Sequence, residues 1–196
     1  MGIELIPKTI QQKYDVFEWN HAIAILKTDF PDEWSDIVQV LDSYTLKKSE
    51  ILQAGGRKSP IAGYLDDFLY QRGWEEKKFN ITINVDEDER ETPTHKIDCY
   101  KNRIGVEIEW NNKDPFYDRD LNNFRLLFEL KTISVGVIIT RSTKLQQIFN
   151  DLGKGSSYGS STTHMSKLVP RILGGGGGGC PILVFAISPA CYDPSA

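Results

Sequence analysis

One segment, residues 97–110 (IDCYKNRIGVEIEW), constrains the fold more than any other. Two short runs of strand-forming residues, about 95–100 and 104–110, flank Lys101-Asn102-Arg103 and read as a β-hairpin. Side chains alternate along a strand, so Glu107 and Glu109 share one face while Val106 and Ile108 form the apolar, core-seeking face. With the turn near Asn102, Asp98 lies on the partner strand close to Glu107, which brings three carboxylates together. Such a cluster raises its own pKa values unless something positive sits among them. A hard divalent cation with oxygen ligands answers that need, and Mg²⁺ is the usual one where phosphate is the substrate. Taken alone, Glu-x-Glu is also what an ordinary solvated strand face looks like, so the surrounding order of elements decides its weight.

That order is helix, three strands, helix, strand. Ser59 is placed to cap a helix with Pro60 at its first position, running to about Arg72 with Tyr64, Leu65, Phe68 and Leu69 as its buried stripe and Gly73 as its stop. Residues 77–85 alternate Phe79, Ile81, Ile83 and Val85 with polar partners, as a half-buried strand does, and 86–91 read as a solvated acidic turn. A helix over 118–131 presents Leu121, Phe124, Leu127 and Phe128, and 133–140 read as a strand buried on both faces. Residues 1–52 read as helices without visible chemistry. Beyond 140 come a short helical stretch near 144–152, the polar loop 153–163, a helix over 164–173, six glycines at 174–179 and an apolar strand at 181–187. The glycine run reads first as a floppy connector and second as a loop that a ligand would order.

Length and composition set the outer bounds. A chain of 196 residues, 40% hydrophobic and 26% charged, is a single α/β domain with enough apolar side chains for a core. It divides into an N-terminal helical region (1–58), a core that carries the acidic hairpin (59–140) and a segment of loops with a C-terminal strand (141–196). No apolar run approaches a membrane span, and the N-terminus has neither secretory nor transit layout, so a cytoplasmic protein is expected. Cys99, Cys180 and Cys191 are odd in number and widely spaced, which points to reduced, structural thiols. The net charge of −4 taken alone opposes a nucleic-acid partner, but it is a sum of opposed parts. Residues 1–98 carry 12 basic and 19 acidic groups, residues 99–196 carry 11 and 8, and 131–171 carry six basic groups against the single Asp151.

Residues 97–109, followed by Trp110-Asn111-Asn112-Lys113-Asp114-Pro115-Phe116, resemble the active-site hairpin of type II restriction endonucleases of the BglII and BamHI kind, within the PD-(D/E)xK nuclease superfamily. The shared core of helix, three-stranded meander, helix and strand corresponds to residues 59–140, with the N-terminal helical region and the C-terminal strand added to it. Asp98 matches the first acid of the motif and Glu107 the second. Glu109 stands where most of the superfamily has Lys; the BamHI kind resembles this chain in having Glu there.

The resemblance implies Mg²⁺-dependent hydrolysis of phosphodiester bonds in double-stranded DNA at a short palindromic site. In that reading Asp98, Glu107 and the backbone carbonyl of Ile108 hold the metal, and Glu109 orients or deprotonates the attacking water or serves a second cation. DNA contacts are expected from Asn111, Asn112 and Lys113 beyond the hairpin and from Arg141, Lys144, Lys154, Ser156, Ser157, Tyr158, His164 and Lys167 downstream, with Arg171 in the same basic stretch. Arg57 and Lys58 precede the core helix and are placed to hold a phosphate. Cutting both strands of a palindrome is simplest for a homodimer, with residues 118–131 or the N-terminal helices at the interface. Two alternatives stand beside this reading: another DNA nuclease of the same fold, in repair or defence, and a non-catalytic DNA-binding module that kept the fold.

Overall fold

The computed structural model describes residues 2–53 and 58–196, so Arg57 lies outside the described residues. The strands are β1 (Tyr14–Trp19), β2 (Leu46–Lys47), β3 (Glu75–Lys77), β4 (Asn80–Val85), β5 (Asp88–Pro93), β6 (Ile97–Lys101), β7 (Ile104–Ile108), β8 (Val135–Arg141), β9 (Ile182–Ile187) and β10 (Tyr192–Asp193). The α-helices are α1 (Lys8–Lys13), α2 (Ala22–Asp29), α3 (Pro31–Ser43), α4 (Lys48–Leu52), α5 (Pro60–Tyr70), α6 (Phe116–Glu129), α7 (Gln146–Asp151) and α8 (Met165–Leu173).

Six strands form one mixed sheet in the order β1-β9-β8-β7-β6-β3. Strands β7, β8 and β9 run parallel, and β1, β6 and β3 join antiparallel. The Val- and Ile-rich β8 and β9 are buried along their whole length, as strands covered on both faces must be. One face packs Ile10, Leu26, Ile37, Leu41, Leu65 and Leu69 from α1, α2, α3 and α5, and the other packs Tyr117, Leu121, Phe124 and Leu127 from α6 with Leu168 and Ile172 from α8. This is a three-layer α/β/α arrangement with the mixed sheet at its centre. Among the described residues no helix is long and apolar enough to cross a membrane. All three cysteines are buried and unpaired.

The helix-meander-helix-strand order is present as α5, β3, β6, β7, α6 and β8, and Ser59 caps α5 by accepting the Ala62 N–H. Four local expectations are corrected. Residues 14–19 are a strand, not a helix: they pair antiparallel with β9 along its length, and Asn20 and His21, both at positive φ, end the strand before α2 begins. The N-terminal region is therefore part of the sheet. The first meander strand is only the three residues of β3; the alternating segment at 80–85 pairs instead with 88–93 as a separate two-stranded ribbon, and no third layer covers its Ile83 and Val85. The acidic segment 86–91 is a tight turn leading into a strand. On α5, Ile61 and the acid Asp66 join Leu65 and Leu69 on the buried side, whereas Tyr64 is exposed.

The six glycines hold a defined run of turns. Gly175 and Gly178 take positive φ, and a Cβ on Gly178 would press on the Arg125 side chain of α6. Backbone bonds from Gly174, Gly175 and Gly176 to the carbonyls of Pro170, Ile172 and Arg171 tie the run to the end of α8.

A second glycine pair positions α6. Gly105 of β7 and Gly136 of β8 are directly opposed, and together they form the seat for the Phe124 ring. A Cβ on Gly136 would lie inside 3.0 Å of three Phe124 ring atoms. Gly136→Ala should destabilise the fold by about 1–3 kcal/mol, because a close-packed core cannot absorb the methyl without moving α6. An unchanged urea midpoint would show that α6 does not depend on that seat.

Candidate active site

Asn102 and Arg103, at φ 43° and 69°, make the two-residue turn between β6 and β7. That turn sets Cys99 opposite Val106, and beyond that pair Asp98 meets the other strand by donating its N–H to Glu107 Oε2 and accepting the Ile108 N–H. Asp98, Ile108 and Glu109 line a cleft of about 1100 Å³ at the carboxyl end of β7, together with Lys58, Asp66, Tyr70, Arg119, Lys154 and Tyr158.

Each carboxylate has a different environment. Asp98 Oδ2 accepts the Ile108 N–H at 2.9 Å, and the Asp98 carbonyl accepts the Tyr70 hydroxyl at 2.9 Å. Burial raises its pKa to about 6, against the bond from Ile108, with Asp66 and Asp120 adding repulsion. Glu107 is fully buried; the Asp98 N–H reaches its Oε2 at 3.4 Å, and its Oε1 has no partner. Burial, then the charges of Asp120, Asp98 and Glu109, push its pKa well above the carboxylate range. Glu109 Oε2 accepts the Asn112 amide at 2.8 Å and its Oε1 accepts from Arg119 at 3.3 Å. Burial first and Asp120 second raise it to about 9.

The fourth acid is Asp120 of α6, fully buried and not singled out by motif reasoning. Its Oδ1 accepts from Arg119 Nε at 2.9 Å and Nη2 at 2.8 Å, while Oδ2 is buried without a partner. Burial raises its pKa as well. A signal for it existed: Asp120 stands in the Tyr117-Leu121-Phe124-Leu127 stripe, where an acid on the core-facing side of a helix needs a reason. Arg119 links α6 to β7 by bonding both Asp120 and Glu109, and its guanidinium lies 4.4 Å from the Phe116 ring centroid.

These groups are close enough to shift one another's titration without being arranged as ligands. Among the described residues no three His, Cys, Asp or Glu side chains stand in a metal-holding arrangement, since Asp98 is turned to the Ile108 amide and Glu109 to Asn112 and Arg119. The orphaned Glu107 Oε1 and Asp120 Oδ2 are the opposite case, buried oxygens that lack a donor or a cation. All-oxygen donors of this kind suit a hard divalent cation.

The raised pKa values carry a pH consequence. Asp98 and Glu109 bind protons more tightly folded, at about 6 and about 9, than their ordinary 3.8 and 4.5. The stability they contribute is complete below about pH 4 and is lost as pH rises through the folded values. Without divalent cations the melting temperature should therefore fall between pH 5 and pH 8.5, by about 4–8 °C for a loss of 2 kcal/mol in a chain of this size. A curve that is flat or rises over that window would remove the buried cluster as its cause.

The residues expected to contact DNA fall into three groups. Asn111, Asn112, Lys154, Ser157 and Tyr158 line the cleft; Asn111 takes positive φ, and Tyr158 is buried with its ring stacked on Phe149 at 4.0 Å. Lys113 and Ser156 are exposed outside the cleft wall, Lys113 on an isolated bridge to Thr162.

The third group is turned to other work. Arg141 is buried, not presented to a phosphate: it donates to the Tyr158 carbonyl at 3.0 Å and the Thr162 hydroxyl at 2.7 Å, and lies over the Phe149 and Tyr158 rings. It holds the 153–163 loop. Lys144 pairs with Asp15, Lys167 with Asp114, and Arg171 with Asp118. His164 bonds Ser166 through Nδ1, and burial with the nearby Arg141 and Lys167 charges lowers it to about 4, so it is neutral at pH 7. The six-to-one basic excess of residues 131–171 is thus largely consumed inside the protein.

No curated protein matches the chain. The family model described as restriction endonuclease BglII/BglIII matches residues 14–187, which takes in the sheet from β1 to β9 and every residue of the carboxylate cluster. By its sheet, its acidic hairpin and that match across most of its length, the chain belongs to the BglII/BglIII restriction endonuclease family.

Proposed function

We propose that this protein is a type II restriction endonuclease subunit, a Mg²⁺-dependent homodimer that hydrolyses phosphodiester bonds of double-stranded DNA at a short palindromic site. The observation that carries the reading is the cluster of Asp98, Glu107, Glu109 and Asp120, in which Asp98 and Glu109 line the cleft and the buried Glu107 and Asp120 behind them each keep one carboxylate oxygen without a partner. Asp98, Glu107 and the Ile108 carbonyl would hold the ion. When bound, it supplies positive charge against the phosphate and makes a nearby water easier to deprotonate.

The chain's own residues do the rest. Glu109 orients the attacking water or takes its proton, and Arg119 and Asn112 fix the direction of that carboxylate. Water's oxygen bonds to phosphorus as the bond to the leaving sugar oxygen breaks; one water proton ends on that oxygen and the other is released. Lys154, Asn111 and Asn112 on the cleft wall, with Lys113 and Ser156 beside it, are the groups proposed to meet DNA. Two copies related by a two-fold axis would cut both strands.

Digestion of phage DNA in Mg²⁺ followed by mapping of the ends tests this. Discrete fragments ending in one palindromic sequence are expected. A smear with random ends would favour a non-specific or structure-directed nuclease, and intact DNA bound by the protein would favour a non-catalytic module.

A further inference from the structure

Phosphodiester hydrolysis gathers negative charge on phosphate oxygens, and a positioned cation that meets it is worth most where water is scarce. The acidic strand supplies none, since β7 and the following Glu109 carry no basic residue and Arg119 is bonded to Glu109 and Asp120.

Lys58 stands on the wall that α5 contributes. It directly precedes the cap residue Ser59 and lines the cleft together with Asp98, Ile108 and Glu109, its side chain 51% exposed. Its ammonium pairs with Asp66 of α5, whose side chain is 5% exposed. Asp66 also accepts from the thiol of Cys99 at 3.3 Å, and Cys99 follows Asp98 on β6. The Lys58 ammonium lies 5.6 Å from the Tyr70 ring centroid, and the Tyr70 hydroxyl bonds the Asp98 carbonyl at 2.9 Å.

Lys58 is therefore tied to the strand bearing Asp98 twice, through Asp66 and Cys99 and through Tyr70. The buried Asp66 carboxylate anchors the half-exposed ammonium and sets its direction. An ammonium has three donors, so pairing with Asp66 leaves others for a ligand in the cleft that Lys58 lines.

We infer that Lys58 is a further catalytic residue, contacting a non-bridging oxygen of the scissile phosphate, with Asp66 as its positioning residue. This rests on the nuclease reading above and deepens it by assigning the cation that the acidic strand lacks.

The test uses the full chain and a plasmid that the wild type cuts, with single-turnover cleavage at saturating enzyme in Mg²⁺ and plasmid binding measured in Ca²⁺. Lys58→Met should lower the cleavage rate constant by about 10²–10³-fold, the scale for loss of one positioned donor, with binding changed only several-fold. Lys58→Arg should fall between. Asp66→Asn should cost about tenfold alone and nothing further in the Lys58→Met background, since two residues acting as one unit are non-additive. Melting curves of each variant confirm the fold.

Lys58→Met cutting within about threefold of wild type would overturn the inference, as would a loss confined to binding. Additive losses would make Asp66 merely structural and overturn its positioning role. A wild type that cuts no DNA at all would instead overturn the nuclease reading itself.

Discussion

Glu107→Gln is expected to slow single-turnover DNA cleavage by about 10³-fold or more while raising the melting temperature of the divalent-free protein. The two effects share one cause. Glu107 is a fully buried carboxylate surrounded by Asp98, Glu109 and Asp120, with one oxygen unserved. Its charge is unfavourable to the fold, and in the proposed site it is that charge which meets the cation. Glutamine keeps the shape, removes the charge and offers amide protons to the neighbouring acids. The apo protein should gain a few degrees at pH 8 and much less at pH 5, where the wild type already holds protons on the cluster. Cleavage loses a ligand charge, and a change of about 4 kcal/mol at the transition state is a factor of about 10³. Rate and stability both falling would place Glu107 among ordinary core residues.

Arg119→Met should act in the opposite direction on stability. Arg119 is the cation bonded to Asp120 and Glu109, so removing it leaves two acids buried without compensation. Breaking a buried pair costs about 3–5 kcal/mol; with Arg119 about a third exposed, roughly 2–3 kcal/mol is expected at pH 8, or about 4–12 °C. The loss should shrink at pH 5 and be largely recovered by adding Asp120→Asn. Urea denaturation of the single and double variants at both pH values measures this. An equal loss at both would assign the effect to the packing of Arg119 on Phe116 rather than to its charge.

The parts of this protein legible in sequence are those set by local rules. Period-two alternation puts Glu107 and Glu109 on one face, and a turn near Asn102 brings Asp98 close to Glu107; the turn is the two residues Asn102 and Arg103 rather than three starting at Lys101, and that sets the register of Cys99 on Val106. The α6 stripe and the apolar runs of β8 and β9 are read in the same way. Non-local contacts were out of reach. Asp120 is carried to the cluster by α6, whose Phe124, one turn further along, is seated on Gly105 and Gly136 of two different strands. Charge counting along residues 131–171 could not register that Lys144 is paired with Asp15, 129 positions earlier, or that Arg141, ending a fully buried strand, has turned inward. Strand β1 is masked in the sequence because apolar residues continue at helical spacing across Asn20 and His21, whose positive φ ends the strand.

The most direct test of the central claim is cleavage of a supercoiled plasmid by the wild type and by Asp98→Asn, each in Mg²⁺ and in excess EDTA. The expected result is linear fragments of discrete length from the wild type in Mg²⁺ alone, with Asp98→Asn inactive though still folded and still binding the plasmid in Ca²⁺. Cleavage that survives EDTA, or that Asp98→Asn performs at the wild-type rate, would contradict a metal-assisted site built on this carboxylate cluster.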